Sequence, residues 1–160
     1  MQSKNERARL AIQNSDTSRI LTFLDEQESN LFEGLSQSDA NELLINIAKI
    51  GPFYGCIIIL STIKACNDEH KLMLCNLLLQ FLSKPDYGDK VDISVTCIKI
   101  SKELNEEQKK ILKDGLVELI AKDFTLIEKI KKALSEEGLT KEFSDYYLKQ
   151  TQNADVCILM

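Results

Sequence analysis

Residue types that carry covalent or metal chemistry are scarce in this chain. It has one histidine, His70, and five cysteines, none of them in a Cys-x-x-Cys pair. The nearest grouping places Cys66, His70 and Cys75 at C-x₃-H-x₄-C spacing, which matches no established zinc-site pattern. A catalytic Cys–His or Ser–His pair would need His70, and no nucleophile elbow or phosphate-binding glycine loop is present. The sequence therefore predicts no catalytic residue, metal site or cofactor, and we expect a protein without enzymatic activity.

The last four residues form the most distinctive chemical pattern in the sequence. Cys157 is followed by the aliphatic residues Ile158 and Leu159, and then by Met160. This ending resembles the C-a-a-X box of prenylated proteins, in which a final methionine selects farnesyl. The resemblance implies farnesylation of Cys157 by a eukaryotic prenyltransferase, removal of the last three residues and methylation of the new carboxylate. Two other interpretations remain open: an apolar tail packed on the protein body, and a terminal carboxylate bound by a PDZ groove.

A single lipid chain gives only marginal, reversible membrane binding, so a second membrane signal is expected elsewhere. The stretch before Cys157 contains one lysine and no second cysteine, and it supplies no such signal. Lysines gather instead late in the folded part, where acidic residues interleave with them. They form either an ordinary solvated face or a small basic face for a membrane or an acidic partner. These lysines are Lys109, Lys110, Lys113, Lys129, Lys131 and Lys132.

Composition limits the class of protein. The chain has 160 residues and a net charge of −5, which argues against nucleic-acid binding and against simple adsorption to anionic lipid. The charged start carries no secretory signal, and the apolar stretch Phe53–Ile63 is shorter than the ~20 residues that span a bilayer. Four cysteines lie in apolar stretches, which is typical of buried, reduced thiols. We expect a single domain over residues 1–150 and a flexible tail over 151–160.

The periodicity of apolar residues predicts an all-α protein. Proline (2) and glycine (6) are rare, and apolar residues recur at helical spacing through most segments. About eight helices with short connections form antiparallel hairpins, which begin at a spacing typical of helical repeats. No tetratricopeptide or ankyrin consensus is present. The hairpins are therefore expected to stack either as a short HEAT/armadillo-like solenoid or as an irregular helical bundle.

Local signals predict where several helices begin and end. Ser38 is expected to begin one helix, and Gly51 to end it. The apolar segment Pro52–Cys66 reads as a buried helix or a buried strand, and its length favours the helix. Lys84–Lys90 has the composition of a loop. Asn105 is expected to cap the helix that follows it.

A second resemblance concerns the kind of organism from which the protein originates. The stretch Leu134–Phe143 resembles the glutamate-rich C-terminal blocks of type IV secretion substrates, and a composition rich in Ile, Lys, Leu and Asn suits an AT-rich bacterial genome. Bacterial effectors injected into eukaryotic cells often borrow host prenylation. The resemblances together imply a non-catalytic interaction module, held by farnesyl on the cytosolic face of a eukaryotic membrane and binding an unidentified protein partner there. The alternative is a cytoplasmic helical scaffold or regulatory protein with an unmodified tail.

Overall fold

The computed structural model describes residues 3–26, 30–84, 87–121 and 123–143, and these residues confirm the all-α class. Within these ranges there is no strand, and nine α-helices follow one another with two short 3₁₀ turns, Ile63–Ala65 and Ser101–Glu103. The helices are α1 (Lys4–Gln13), α2 (Thr17–Glu26), α3 (Gln37–Ile50), α4 (Pro52–Thr62), α5 (Asp68–Leu82), α6 (Tyr87–Ile100), α7 (Glu106–Ile120), α8 (Phe124–Glu136) and α9 (Thr140–Phe143).

The chain divides into two compact units, with the boundary between Leu77 and Leu78 inside α5. The expected single domain over residues 1–150 and the solenoid stacking both stay predictions. The expected flexible tail, 151–160, lies outside the described residues.

The first unit is built around α1 and α3. Helix α1 packs against α2 and α3, and α4 packs against α3 and α2. The core includes Ile12, Ile47 and Ile58, each at most 1% exposed. Burial of such side chains contributes on the order of 1.5–3 kcal/mol each to folding.

The junction between α3 and α4 shows how single residues determine where one helix ends and the next begins. Gly51 has φ 99°, a conformation that favours glycine, and it ends α3. Pro52 then occupies the first turn of α4, where its missing N–H costs no helical hydrogen bond. The segment from Pro52 is helical as far as Ala65, so the helical interpretation of this apolar stretch is confirmed.

The second unit centres on α6 and α8, which pack against each other and both contact α7. Helix α6 is rich in β-branched residues, which lower helix propensity slightly. Its buried Ser94 and Thr96 stay satisfied because their hydroxyls donate to the carbonyls of Lys90 and Asp92, one turn earlier. The free energy gained by packing this apolar helix outweighs the low helix propensity of its β-branched residues.

Two expected boundaries are wrong. The cap of α3 is Ser36, whose hydroxyl accepts the Asp39 N–H at 3.1 Å, so the helix begins at Gln37, one residue before Ser38. The predicted loop Lys84–Lys90 is helical from Tyr87, because α6 extends into it. The cap at Asn105 is confirmed: its side chain accepts the Gln108 N–H at 2.9 Å, and Gln108 accepts the Asn105 N–H at 3.0 Å.

Candidate functional site

The predicted lipidation site lies outside the described residues. Cys157, Ile158, Leu159 and Met160 all follow Phe143, the last residue that the structure describes. The C-a-a-X interpretation therefore stays a prediction, based on residue type and order alone.

The other four cysteines are buried and carry unoxidised thiols. Cys56, Cys66, Cys75 and Cys97 are between 0% and 7% exposed, and none forms a disulfide. Burial raises the pKa of Cys75 to about 12. Because the thiolate is the nucleophilic form, such a thiol is unreactive near neutral pH.

Cys66 and His70 do not form a catalytic pair. The Cys66 thiol donates to the Thr62 carbonyl at 3.2 Å and to Asn30 Oδ1 at 3.5 Å. Burial raises the pKa of Cys66, although a hydrogen bond with the Thr62 side-chain hydroxyl and the Lys71 charge oppose this shift. His70 stacks on Phe32 with ring centroids 4.6 Å apart, and its buried Nδ1 has no hydrogen-bond partner among the described residues. Cys66 is a neutral, packed thiol, and His70 packs as an aromatic ring.

In the described ranges, no three His, Cys, Asp or Glu side chains come together where they could hold a metal ion. Over the same ranges, no helix combines the length and apolar character needed to cross a bilayer.

The predicted basic residues on α7 are balanced by acids. Lys109 pairs with Glu106 at 3.4 Å and Lys110 pairs with Asp114 at 3.3 Å, both within the helix. Lys113 is half-buried. Since α7 also carries Glu107 and Glu118, its acids outnumber its lysines. This helix does not present a basic face.

The predicted basic residues on α8 are all exposed. Lys131 pairs with Glu128 at 3.4 Å. No carboxylate among the described residues comes within ion-pair distance of Lys129 or Lys132. Phe124, the first residue of the same helix, is 55% exposed. The structure therefore separates the six lysines into an acid-balanced set on α7 and a cationic set on α8, a helix that begins with the exposed Phe124.

Phe124 was not predicted as a site residue, although the sequence contains a signal for it. The buried residues of α8 are Leu126, Ile127, Ile130 and Leu134, which define one stripe at helical spacing. Phe124 precedes this stripe and lies off it. A position off the apolar stripe can be recognised from the spacing of the sequence, so the exposure of this aromatic residue could have been predicted.

A groove of about 280 Å³ runs between α1 and α3 and is a second candidate site. Each helix contributes four residues at i, i+3, i+4 and i+7, which is one helical face. Leucines line part of the groove, and polar side chains surround them. The lining residues are Glu6, Arg9, Leu10, Gln13, Leu35, Asp39, Glu42, Leu43 and Asn46.

The charge of the groove is negative. Three carboxylates, those of Glu6, Asp39 and Glu42, face one guanidinium, that of Arg9. Arg9 is directed at the loop after α2, where Nη1 donates to the Leu31 carbonyl at 2.9 Å. The sequence analysis missed this groove, because the repeated spacing on the two helices is visible but their pairing is not.

The stretch that resembles a secretion signal contains a structural contact. Within Leu134–Phe143, Glu137 follows the last residue of α8 and forms an ion pair with Lys99 of α6. Gly138 follows at φ 73° and ends the helix. At least one glutamate of this stretch therefore contacts another helix of the second unit.

Comparison with known proteins adds no family. No family model matches the chain, and no curated protein or solved structure matches it either. Function must be argued from the residues described above.

Proposed function

We propose that this chain is a non-catalytic helical interaction protein, held at the cytosolic face of a eukaryotic membrane by farnesyl on Cys157. The observation that carries the proposal is the order Cys157, Ile158, Leu159, Met160, because each position fits what a farnesyltransferase selects. Host farnesyltransferase is then the first partner of the chain. A membrane-resident protein is the second.

The state of the other thiols supports this assignment. Cys56, Cys66, Cys75 and Cys97 are buried and hence poor acceptors for any enzyme that must bind an accessible thiol. A lipid added to the chain therefore has one candidate acceptor, Cys157. The thiols and His70 also form no catalytic pair, which supports a binding role without chemistry.

The groove between α1 and α3 supports the interaction half of the proposal. It combines exposed apolar surface, with Leu10 42% exposed, and carboxylates that pair with cations of a partner. Proximity biotinylation from an N-terminal fusion tests this half. A partner in the groove loses labelling in Leu10→Glu and keeps it in Leu119→Glu, a matched change at a residue 38% exposed in the second unit. Equal labelling in both variants contradicts the groove as the partner site.

The lipid half is tested by prenylation of the purified chain. Farnesyltransferase with farnesyl diphosphate is expected to add one farnesyl group, seen as a single increment in intact mass. Cys157→Ser is expected to abolish the increment, whereas Cys66→Ser leaves it. A chain that stays unmodified, or that is modified equally in Cys157→Ser, contradicts the proposal and favours the cytoplasmic scaffold.

The bacterial-effector origin is a further part of the proposal and depends on Leu134–Phe143. A translocation reporter fused to the N-terminus tests it in a strain with type IV secretion. Glu136→Ala/Glu142→Ala is expected to reduce translocation while the protein stays folded. Unchanged translocation contradicts a secretion role for this stretch.

A further inference from the structure

The exposed side of α8 combines the three features of a membrane-contacting helix. It presents an aromatic ring, two lysines without ion pairs among the described residues, and a firmly packed opposite face. Lys129 and Lys132 are three residues apart and hence neighbours on the helix surface. Aromatic rings and lysines are the side chains that interfacial helices place at the lipid headgroups.

We infer that this face, formed by Phe124, Lys129 and Lys132, contacts the anionic lipid surface to which farnesyl on Cys157 anchors the chain. The inference rests on the proposed lipidation and supplies its missing second signal. The whole of α8 carries Lys129, Lys131 and Lys132 against Glu128 and Glu136, so the net charge of the helix is +1. The occupant that fits is a bilayer containing phosphatidylserine.

The acids around the face do not cancel this charge. Glu128 is engaged with Lys131. The Asp123 carboxylate accepts the Leu126 N–H at 3.0 Å, so it is directed at the helix N-terminus. Glu136 lies one turn beyond Lys132, and no ion pair joins these two side chains. The side chains that remain available for contact with lipid are those of Lys129, Lys132 and Phe124.

The length of the chain after α9 also allows α8 to reach the membrane. Helix α9 packs against α8, and Cys157 lies fourteen residues beyond Phe143. Fourteen residues span at most about 50 Å when fully extended. A lipid on Cys157 therefore holds the bilayer within that distance of α9, and α8 is a helix that α9 contacts.

The gain in membrane affinity expected from two lysines is large enough for a second membrane signal but too small for an independent anchor. Each lysine near an anionic surface contributes enough to change binding about fivefold, so two change it about thirtyfold. A net charge of −5 opposes adsorption of the unlipidated chain. We therefore expect the face to act only when a lipid anchor is present.

The experiment uses the full farnesylated chain and two kinds of vesicle, one of phosphatidylcholine and one of phosphatidylcholine with a third phosphatidylserine. Wild type is expected to bind the anionic vesicles about thirtyfold more tightly than the neutral ones. Lys129→Glu/Lys132→Glu is expected to remove this preference. The matched control is Lys49→Glu/Lys102→Glu, which reverses two other exposed lysines and is expected to keep it. Equal binding to both vesicles by wild type, or equal loss in both variants, overturns the inference.

A second readout reports on Phe124 itself. The chain has no tryptophan, so Phe124→Trp introduces a single tryptophan, whose emission can be excited separately from that of the tyrosines. Its emission is expected to shift to the blue on anionic vesicles and to stay unshifted on neutral ones. An unshifted emission on both overturns the inference.

Intact mass shows whether the chain is farnesylated, and it therefore distinguishes a lack of farnesylation from a lack of lipid contact by the face. If the chain is not farnesylated, the proposed function fails. The face is then tested with the Phe124→Trp chain tethered through a C-terminal hexahistidine tag to vesicles that contain a nickel-chelating lipid. A blue shift that needs phosphatidylserine supports the face, and no shift overturns it.

Discussion

The hydroxyl oxygen of Thr62 accepts a hydrogen bond from the backbone N–H of Leu31 at 2.9 Å, thirty-one residues earlier in the chain. Thr62 and Leu31 are both 0% exposed. This bond fixes the loop between α2 and α3, whose carbonyls in turn bind Arg9 of the groove. A single buried hydroxyl therefore connects the end of α4 to the wall of the candidate partner site.

Replacing Thr62 by valine tests this connection. Thr62→Val keeps the shape but leaves the Leu31 N–H buried without its acceptor, so we expect a loss of about 2 kcal/mol in the free energy of unfolding. The matched control is Thr96→Val. The Thr96 hydroxyl donates to Asp92 O within the helix, so its removal orphans no backbone N–H and is expected to cost less than about 1 kcal/mol. Urea unfolding measures both, and equal losses would contradict the role of Thr62.

Gly115 and Leu79 provide a second test of packing. A Cβ on Gly115 would meet the Leu79 side chain at 2.6–3.2 Å. Alanine normally stabilises a helix by about 1 kcal/mol relative to glycine. We expect Gly115→Ala to bring no such gain in stability while Leu79 is present. The same substitution is expected to stabilise the chain when Leu79→Ala has opened the space. Chemical denaturation of the four variants measures the coupling, expected at about 1–2 kcal/mol. A coupling near zero would mean that Leu79 simply moves aside.

The buried thiol of Cys75 predicts a pH dependence. Its pKa in the folded chain is raised by burial from 9.0 to about 12. The folded state therefore favours the protonated thiol. The associated stability is fully present below pH 9 and is lost as the pH rises toward 12.

The measurement compares the free energy of unfolding of wild type and Cys75→Ala from pH 7 to pH 11. At pH 7 the variant is expected to be less stable by about 1 kcal/mol, because a small cavity is left. This difference is expected to shrink as the pH rises above 9, since only wild type loses the thiol contribution. A difference that stays constant with pH would be evidence against the raised pKa.

The last residue is expected to decide which lipid is attached. Met160→Leu converts the ending to one that geranylgeranyltransferase prefers. We expect the variant to accept geranylgeranyl in place of farnesyl, measured by intact mass with each purified transferase. Met160→Ser, which keeps a farnesyl-type ending, is the control. If both variants behave alike, the ending is not recognised as a C-a-a-X box.

How far the sequence predicts the fold depends on whether a signal is local. Gly51 and Asn105 act through their own backbone and side chain, so their roles were predicted correctly. Ser36 and Ser38 are both good capping residues, and choosing between them requires knowing how α3 packs. The residues from Tyr87 have loop composition, yet the buried surface of α6 makes them helical, because tertiary packing outweighs propensity.

Whether a candidate site can be predicted from the sequence also depends on whether its signal is local. The C-a-a-X pattern is contiguous and was readable, and so were the lysines as a group. Their separation into an acid-balanced α7 and a cationic α8 depends on which side of each helix is buried. The groove depends on the pairing of α1 with α3, which no local spacing encodes. Phe124 was readable as an aromatic residue off the apolar stripe and was overlooked.

The central claim is that Cys157 carries a lipid that anchors the chain to a membrane. The most direct measurement is the location of an N-terminally fluorescent fusion in eukaryotic cells, with wild type beside Cys157→Ser. We predict membrane fluorescence for wild type and diffuse fluorescence for the variant. Identical diffuse fluorescence in both would contradict the claim and leave a cytoplasmic helical protein.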